Sequence, residues 1–352
     1  MAQINKPTDY FNTKLFVGTG ASQSITGVGF QPDFTWIKNR NSIDWHWLQD
    51  AVRGATKVIF SNTSNAESTQ AQGLTSFNSD GFTVGTDTGN NGSGNNIVSW
   101  NWLGANGTAS NTDGSITSTV SANTTSGFSI VTYTGNGSAG ATIGHGLGTT
   151  PSFIIIKSRS SAYGWYCYHK GIDATAPEDY FIRLDTTDAR VNSPAILNDT
   201  APTNSVITLG SNVAANGSGL TYVAYCFAPK KGFSAMGQYT GNGSTDGTFV
   251  YTGFKPSFIL SKRTDVSGQN WTIWDNKRSS SNFNPTDKIL HPNVSNTENT
   301  ADDTDFLSNG FKLYHGSTPS PDNTNASGGT YIYMAFAENP FVTSTGIPTT
   351  GR

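Results

Sequence analysis

Gly253-Phe254-Lys255-Pro256-Ser257-Phe258-Ile259-Leu260-Ser261-Lys262 reads as a turn, a proline and then a strand. Proline at the start of a strand forfeits no ladder hydrogen bond, and the aromatic and branched residues after it suit a pleated sheet. The phrase occurs twice more upstream, as Gly29-Phe30-Gln31-Pro32-Asp33-Phe34-Thr35-Trp36-Ile37-Lys38 and as Gly148-Thr149-Thr150-Pro151-Ser152-Phe153-Ile154-Ile155-Ile156-Lys157. An arginine follows each lysine, at Arg40, Arg159 and Arg263. Ile154-Ile155-Ile156 is apolar throughout, the pattern of a strand covered on both faces.

Moving outward, each copy carries the same surroundings in the same order. A glycine-rich turn precedes it: Phe16-Val17-Gly18-Thr19-Gly20, Tyr133-Thr134-Gly135-Asn136-Gly137-Ser138 and Tyr239-Thr240-Gly241-Asn242-Gly243-Ser244. A tryptophan segment follows it, with Trp45 and Trp47, then Trp165, then Trp271 and Trp274. Each copy closes on a small polar turn and an aromatic strand ending at Trp102, Phe227 or Phe336. The prolines lie 119 and 105 residues apart, and the closing aromatics 125 and 109. A self-similar pattern at this period marks a tandem array.

Each unit of about 100 residues, with short strands and frequent turn signals, reads as a β-sandwich. The expected architecture is all-β, with three tandem β-sandwich modules of jelly-roll or lectin-like type. Residues 16–103, 127–230 and 231–341 are the modules. Residues 104–126, without an aromatic and rich in Ser, Thr, Asn and Gly, read as a flexible or draped spacer. Residues 1–15 and 342–352 read as arms that order against a partner.

Composition agrees. Ser, Thr, Asn and Gly fill 158 of 352 positions, but Trp, Tyr and Phe number 8, 13 and 20. That many large rings argues for buried cores rather than disorder. The net charge of −3 gives no basic field for nucleic acid. No apolar run is long enough for a membrane helix, and the N-terminus lacks a signal-peptide core, so synthesis in a cytoplasm is expected. Two cysteines, Cys167 and Cys226, do not make a disulfide framework and read as small buried hydrophobes.

The Tyr-Thr-Gly-Asn-Gly-Ser turn, the Gly-Phe-Lys-Pro-Ser-Phe strand and the ending Ala335-Phe336-Ala337-Glu338-Asn339-Pro340-Phe341 resemble a repeat module of marine tailed-phage virion proteins, some of them tail-fibre-like or concanavalin-A-like. The resemblance spans about residues 4 to 350. It implies a virion component and brings no catalytic signature.

Candidate chemistry is sparse. The chain has four glutamates, of which Glu67 and Glu298 sit in similar loops. Asp50 and Asp275 each precede an arginine by three residues, Arg53 and Arg278, which reads as a loop-orienting ion pair; the depolymerase alternative would use an Asp pair at a module junction that could include Asp50 or Asp275. The five histidines, His46, His145, His169, His291 and His315, show no zinc-ligand spacing. Asp302-Asp303-Thr304-Asp305 is an acidic run without an EF-hand frame. No cofactor is expected. Sugar sites need an aromatic face with amide or carboxylate partners, so Trp45, Trp47, Trp165, Trp271 and Trp274 are the candidate ligand-binding residues, against the alternative that they pack between sheets. The expected function is a non-enzymatic phage structural protein on the virion surface, present in several copies. It would bind other virion proteins, and host glycans as a tail or fibre adhesin. Capsid decoration and glycan depolymerase are the alternatives.

Overall fold

The computed structural model describes residues 2–279, 284–314 and 324–348. Among these residues the chain is nearly all β, with antiparallel sheets and only single-turn helices. In the first repeat, a six-stranded sheet runs in the order Phe11–Val17, Asn96–Trp102, Phe34–Asn39, Trp47–Asp50, Lys57–Phe60 and Ser68–Thr69. Three further strands, Gln23–Thr26, Gly81–Val84 and Leu74–Asn78, form a second sheet. The same inner order recurs later. Thr221–Phe227, Phe153–Ser158 and Trp165–His169 are neighbours in the second repeat, as are Thr330–Pro340, Phe254–Arg263 and Trp271–Asp275 in the third.

Burial follows the two-residue period of a strand. Ile154 and Ile156 enter a core with Ile143, Ile207 and Leu209 of the smaller sheet. Ile155 points the other way, into a core fed by all three repeats. That shared core joins Phe34, Trp100 and Trp102 to Phe153, Tyr225 and Phe227 and to Phe258, Met334 and Phe336. The large sheets are therefore covered on both faces, which explains why Phe34–Asn39 and Phe153–Ser158 are buried at every position. The closing aromatics meet at its centre. Ring centroids of Trp102, Phe227 and Phe336 lie 6.3, 5.7 and 6.1 Å apart, a near-equilateral triangle.

Three expectations change. The stretch 104–126 contains the strands Ala109–Asn111 and Ser118–Asn123, which extend the second repeat's large sheet. Ile116 also bridges to Ile143, so this stretch is built into the fold. Its polar composition hid this because an edge needs backbone pairing more than apolar side chains. Residues 11–15, read as part of an arm, lie in the strand Phe11–Val17 and pair with Asn96–Trp102. The two ends also meet, because Asn5 accepts the Ser344 amide at 2.8 Å and donates to its hydroxyl at 2.6 Å.

Candidate functional site

The five tryptophans do not occupy one structural position. Register decides this. Lys157 pairs with Trp165 and Lys262 with Trp271, whereas Ile37 pairs with Trp47 and Ile259 with Trp274. Trp165 and Trp271 face the shared core, while Trp47 and Trp274 fill the cores between sheets. All four are buried, at 5% exposure or less. Trp165, Trp271 and Trp274 are therefore corrected from candidate binding residues to packing residues, whereas Trp47, though buried between sheets, also lines the cleft beside Trp45. Trp165 Nε1 donates to Phe60 O at 3.0 Å in the first repeat, and Trp271 Nε1 donates to Arg183 O at 2.8 Å in the second. Both are inter-repeat staples.

The remaining conspicuous residues form a ring around the shared core. Lys38, Lys157 and Lys262 are buried, and each reaches a carbonyl of another repeat: Ser295 at 3.2 Å, Ser64 at 3.3 Å and Thr187 at 3.4 Å. Burial lowers each of their pKa values to about 8. Backbone bonds repeat the same cycle, from Glu298 N to Arg40 O, Glu67 N to Arg159 O and Arg190 N to Thr264 O. Glu298 pairs with Arg40 and Arg278, and Glu67 with Arg159 and Arg53. Asp50 and Asp275 are fully buried and held by Arg53 and Arg278. Asp50 also accepts the Tyr225 hydroxyl at 2.8 Å, and Asp275 accepts the Trp100 indole at 2.9 Å. In the second repeat the equivalent position, opposite Phe153, is His169, whose Nε2 lies 3.0 Å from Tyr333 O. Burial drops its pKa to about 4, so it is neutral. Sequence reading found these residues one by one but not the cycle, since spacing does not say which repeat a side chain reaches.

Trp45 differs from the other four. It precedes the strand Trp47–Asp50, is 45% exposed, and leans edge-on against Phe60 at 4.6 Å. It borders a cleft of about 350 Å³ with Ile43, Asp44, Trp47, Asp87 and Thr88 from the first repeat and Ser295 from the third. Asp87 caps the short helix Thr88–Asn91 by accepting Gly89 N at 2.9 Å. A Cβ at Gly89 would press on the Trp47 ring at 3.0 Å, so glycine eases the packing of this turn against the indole. Asp44 accepts Asn39 Nδ2 at 2.9 Å, and its own carbonyl accepts Lys38 Nζ at 2.9 Å. Burial raises the Asp44 pKa, Lys38 opposes that, and the charge of Asp87 adds to the rise. The arrangement is an exposed indole with two carboxylates beside it, which suits a polyhydroxylated or cationic ligand.

The other candidates carry no comparable site. Cys167 and Cys226 are buried free thiols. His145 sits in a turn, its Nδ1 accepting Leu147 N at 3.2 Å. Among the described residues no group of three His, Cys, Asp or Glu side chains converges as a metal requires. His315 and the side chains of Asp302 and Asp303 lie outside the described residues. Among the described residues no helix is long and apolar enough to cross a membrane.

No curated protein and no solved structure matches the chain. A family profile described as a domain of unknown function, DUF7483, matches residues 6–340. That match takes in all three repeats and the cleft, and the chain belongs to the DUF7483 family.

Proposed function

We propose that the chain is a non-enzymatic structural protein displayed on a phage particle, built as three tandem β-sandwich modules, and that it contacts host surface glycans through the Trp45 cleft in the manner of a tail or fibre adhesin. The observation carrying the reading is the exposure of Trp45 beside Asp44 and Asp87, where the four other candidate tryptophans are buried. The resemblance to phage repeat modules supplies the particle. Against the hydrolytic alternative, Asp50 and Asp275 are fully buried and ion-paired with Arg53 and Arg278, an environment unlike that of a glycosidase's sugar-facing carboxylates. Glycan-array binding by the intact chain, compared with Trp45→Ala, tests the reading. Retention lost in the variant supports it, and no glycan retained by either protein removes it.

A second reading, capsid decoration, is favoured by the closed cycle of inter-repeat bonds. Three repeats closing on a triangle of Trp102, Phe227 and Phe336 give one chain an approximate three-fold form, which suits a locally three-fold surface. Antibody-gold labelling of particles separates the two. Label at fibre tips supports the adhesin, and label over the head supports decoration.

A further inference from the structure

We propose that the Trp45 cleft recognises a primary ammonium group carried on a bacterial surface glycan, with Trp45 as the stacking face and Asp44 and Asp87 as the ammonium's partners. This rests on the glycan-contact reading above and names its ligand class.

Three observations carry it. The first is the charge balance of the walls. Asp44 and Asp87 border the cleft, and among the described residues no lysine or arginine does. The nearby cation, Lys38, is buried, and its ammonium is taken up by the carbonyls of Ser42, Asp44 and Ser295. An anionic glycan would therefore meet like charge with no compensation, which disfavours binding.

The second is the state of the carboxylates. Each has one oxygen held by the fold, Asp44 Oδ2 by Asn39 and Asp87 Oδ1 by Gly89 N. Among the described residues the other oxygen of each has no hydrogen-bond partner. The side chains are fixed while an acceptor on each is left over, and carboxylate acceptors bond most strongly to a charged donor. An ammonium between them also relieves the repulsion between Asp44 and Asp87, which acts on Asp44 in the free protein.

The third is the indole. Trp45 is 45% exposed and Ile43 75% exposed, so an apolar face lies beside the acids. A Trp ring attracts a cation over its face, and it also stacks on the C–H face of a sugar. Ser295 arrives from the third repeat, so the cleft is complete only when the ring of repeats is closed.

The test is calorimetric titration of the intact chain with three probes. These are a β-1,4-linked glucosamine trimer, the same trimer N-acetylated, and O-phosphoethanolamine. At low salt the free-amine trimer should bind at least about tenfold more tightly than the acetylated one. The gap should shrink as salt rises, because a surface-accessible charge contact is screened. Asp44→Asn and Asp87→Asn should each narrow the gap while leaving the acetylated trimer unaffected. Both keep an acceptor for Asn39 Nδ2 or Gly89 N, and an unchanged Tm confirms that they fold. Trp45→Ala should weaken both trimers. Phosphoethanolamine binding as tightly as the amine trimer assigns recognition to the ammonium alone, and weaker binding assigns it to an amino sugar. Equal affinity for the two trimers, both lost in Trp45→Ala, overturns the ammonium proposal and leaves glycan contact standing. No binding by any probe, with none on the glycan array, overturns both.

Discussion

Trp100 of the first repeat donates its indole N–H to Asp275 of the third at 2.9 Å, in a site where both side chains are fully buried. Tyr225 of the second repeat does the same to Asp50 of the first at 2.8 Å. Trp100 and Tyr225 are structurally equivalent, each paired with the middle of its repeat's proline strand, at Trp36 and Ile155. The third equivalent, opposite Leu260, is Met334, which has no donor, and there the partner aspartate is replaced by His169. Donor and acceptor change together around the ring. This is the behaviour of a buried polar network that must be satisfied at every member.

Breaking one member should therefore cost far more than a surface substitution. Asp50→Ala leaves the Arg53 guanidinium buried without its nearest anion and the Tyr225 hydroxyl without its acceptor. Removing one partner of a buried pair costs about 3–5 kcal/mol. Urea unfolding should report a loss of that size, against a change within about 0.5 kcal/mol for an exposed control such as Thr119→Ala. An equal, small effect in both would mean the network is not stabilising.

The two kinds of tryptophan separate by the same measurement. Trp165 is wholly buried and donates to Phe60 O, so Trp165→Ala should cost about 3–5 kcal/mol. Trp45 is half-exposed and should cost about 1 kcal/mol or less on truncation. Any effect of Trp45→Ala on ligand retention can then be read as loss of contact, not of fold.

The repeats were legible in the sequence because turns, prolines and strand aromatics act locally. Gly18, Gly135 and Gly241 recur because each approaches a backbone carbonyl too closely for a side chain, with a Cβ falling 2.2–2.5 Å from the oxygen of Gly92, Gly217 or Ala326. The ring was not legible. Lys157 meets Ser64, 93 positions away, and Lys38 meets Ser295, 257 positions away. Such contacts are set by how three large sheets pack on one core, and no local pattern encodes that. The tryptophan site was misread for a related reason. A one-residue difference in register moves a side chain to the opposite face of a strand, so Trp47 and Trp165 share a neighbourhood in sequence and different cores in space.

Alkaline pH should first stabilise the protein and then destabilise it. Lys38, Lys157 and Lys262 titrate at about 8 in the folded chain and at the ordinary 10.5 once unfolded. Between those values the unfolded chain holds more protons, so stability rises with pH, by up to about 1.4 kcal/mol per pH unit for each lysine. The opposite sign comes from buried acids. Cys226, Tyr168 and Tyr333 are pushed up to about 12, and burial also holds Cys167, Tyr133 and Tyr225 well above their ordinary values. From about pH 9 to 10 upward the unfolded chain gives up protons that the folded chain keeps, and stability falls. Urea midpoints across pH 7 to 11 should pass through a maximum between about 9 and 10. Replacing Lys157 by Met should flatten the rise. A monotonic fall from pH 8 would show that the lysines are not held as cations in a dry site.

A repeat cut from the chain should not fold on its own. The face of Phe258, Leu260, Ile332, Met334 and Phe336 that joins the shared core would be open to water in an isolated fragment of residues 231–341. So would Trp271, whose indole donor would lose Arg183 O, and Lys262, which would lose Thr187 O. A contiguous apolar face of that extent on a soluble monomer drives association. The fragment should therefore aggregate, or bind a hydrophobic dye and lack a cooperative transition, while the intact chain unfolds in one step by both fluorescence and circular dichroism. Three separate transitions in the intact chain, or a cooperative and monomeric fragment, would mean that the repeats are beads on a string and that the shared core contributes little. One transition would mean that the inter-repeat bonds and the shared core act as one unit, and that the cleft wall supplied by Ser295 is present whenever the first repeat is folded.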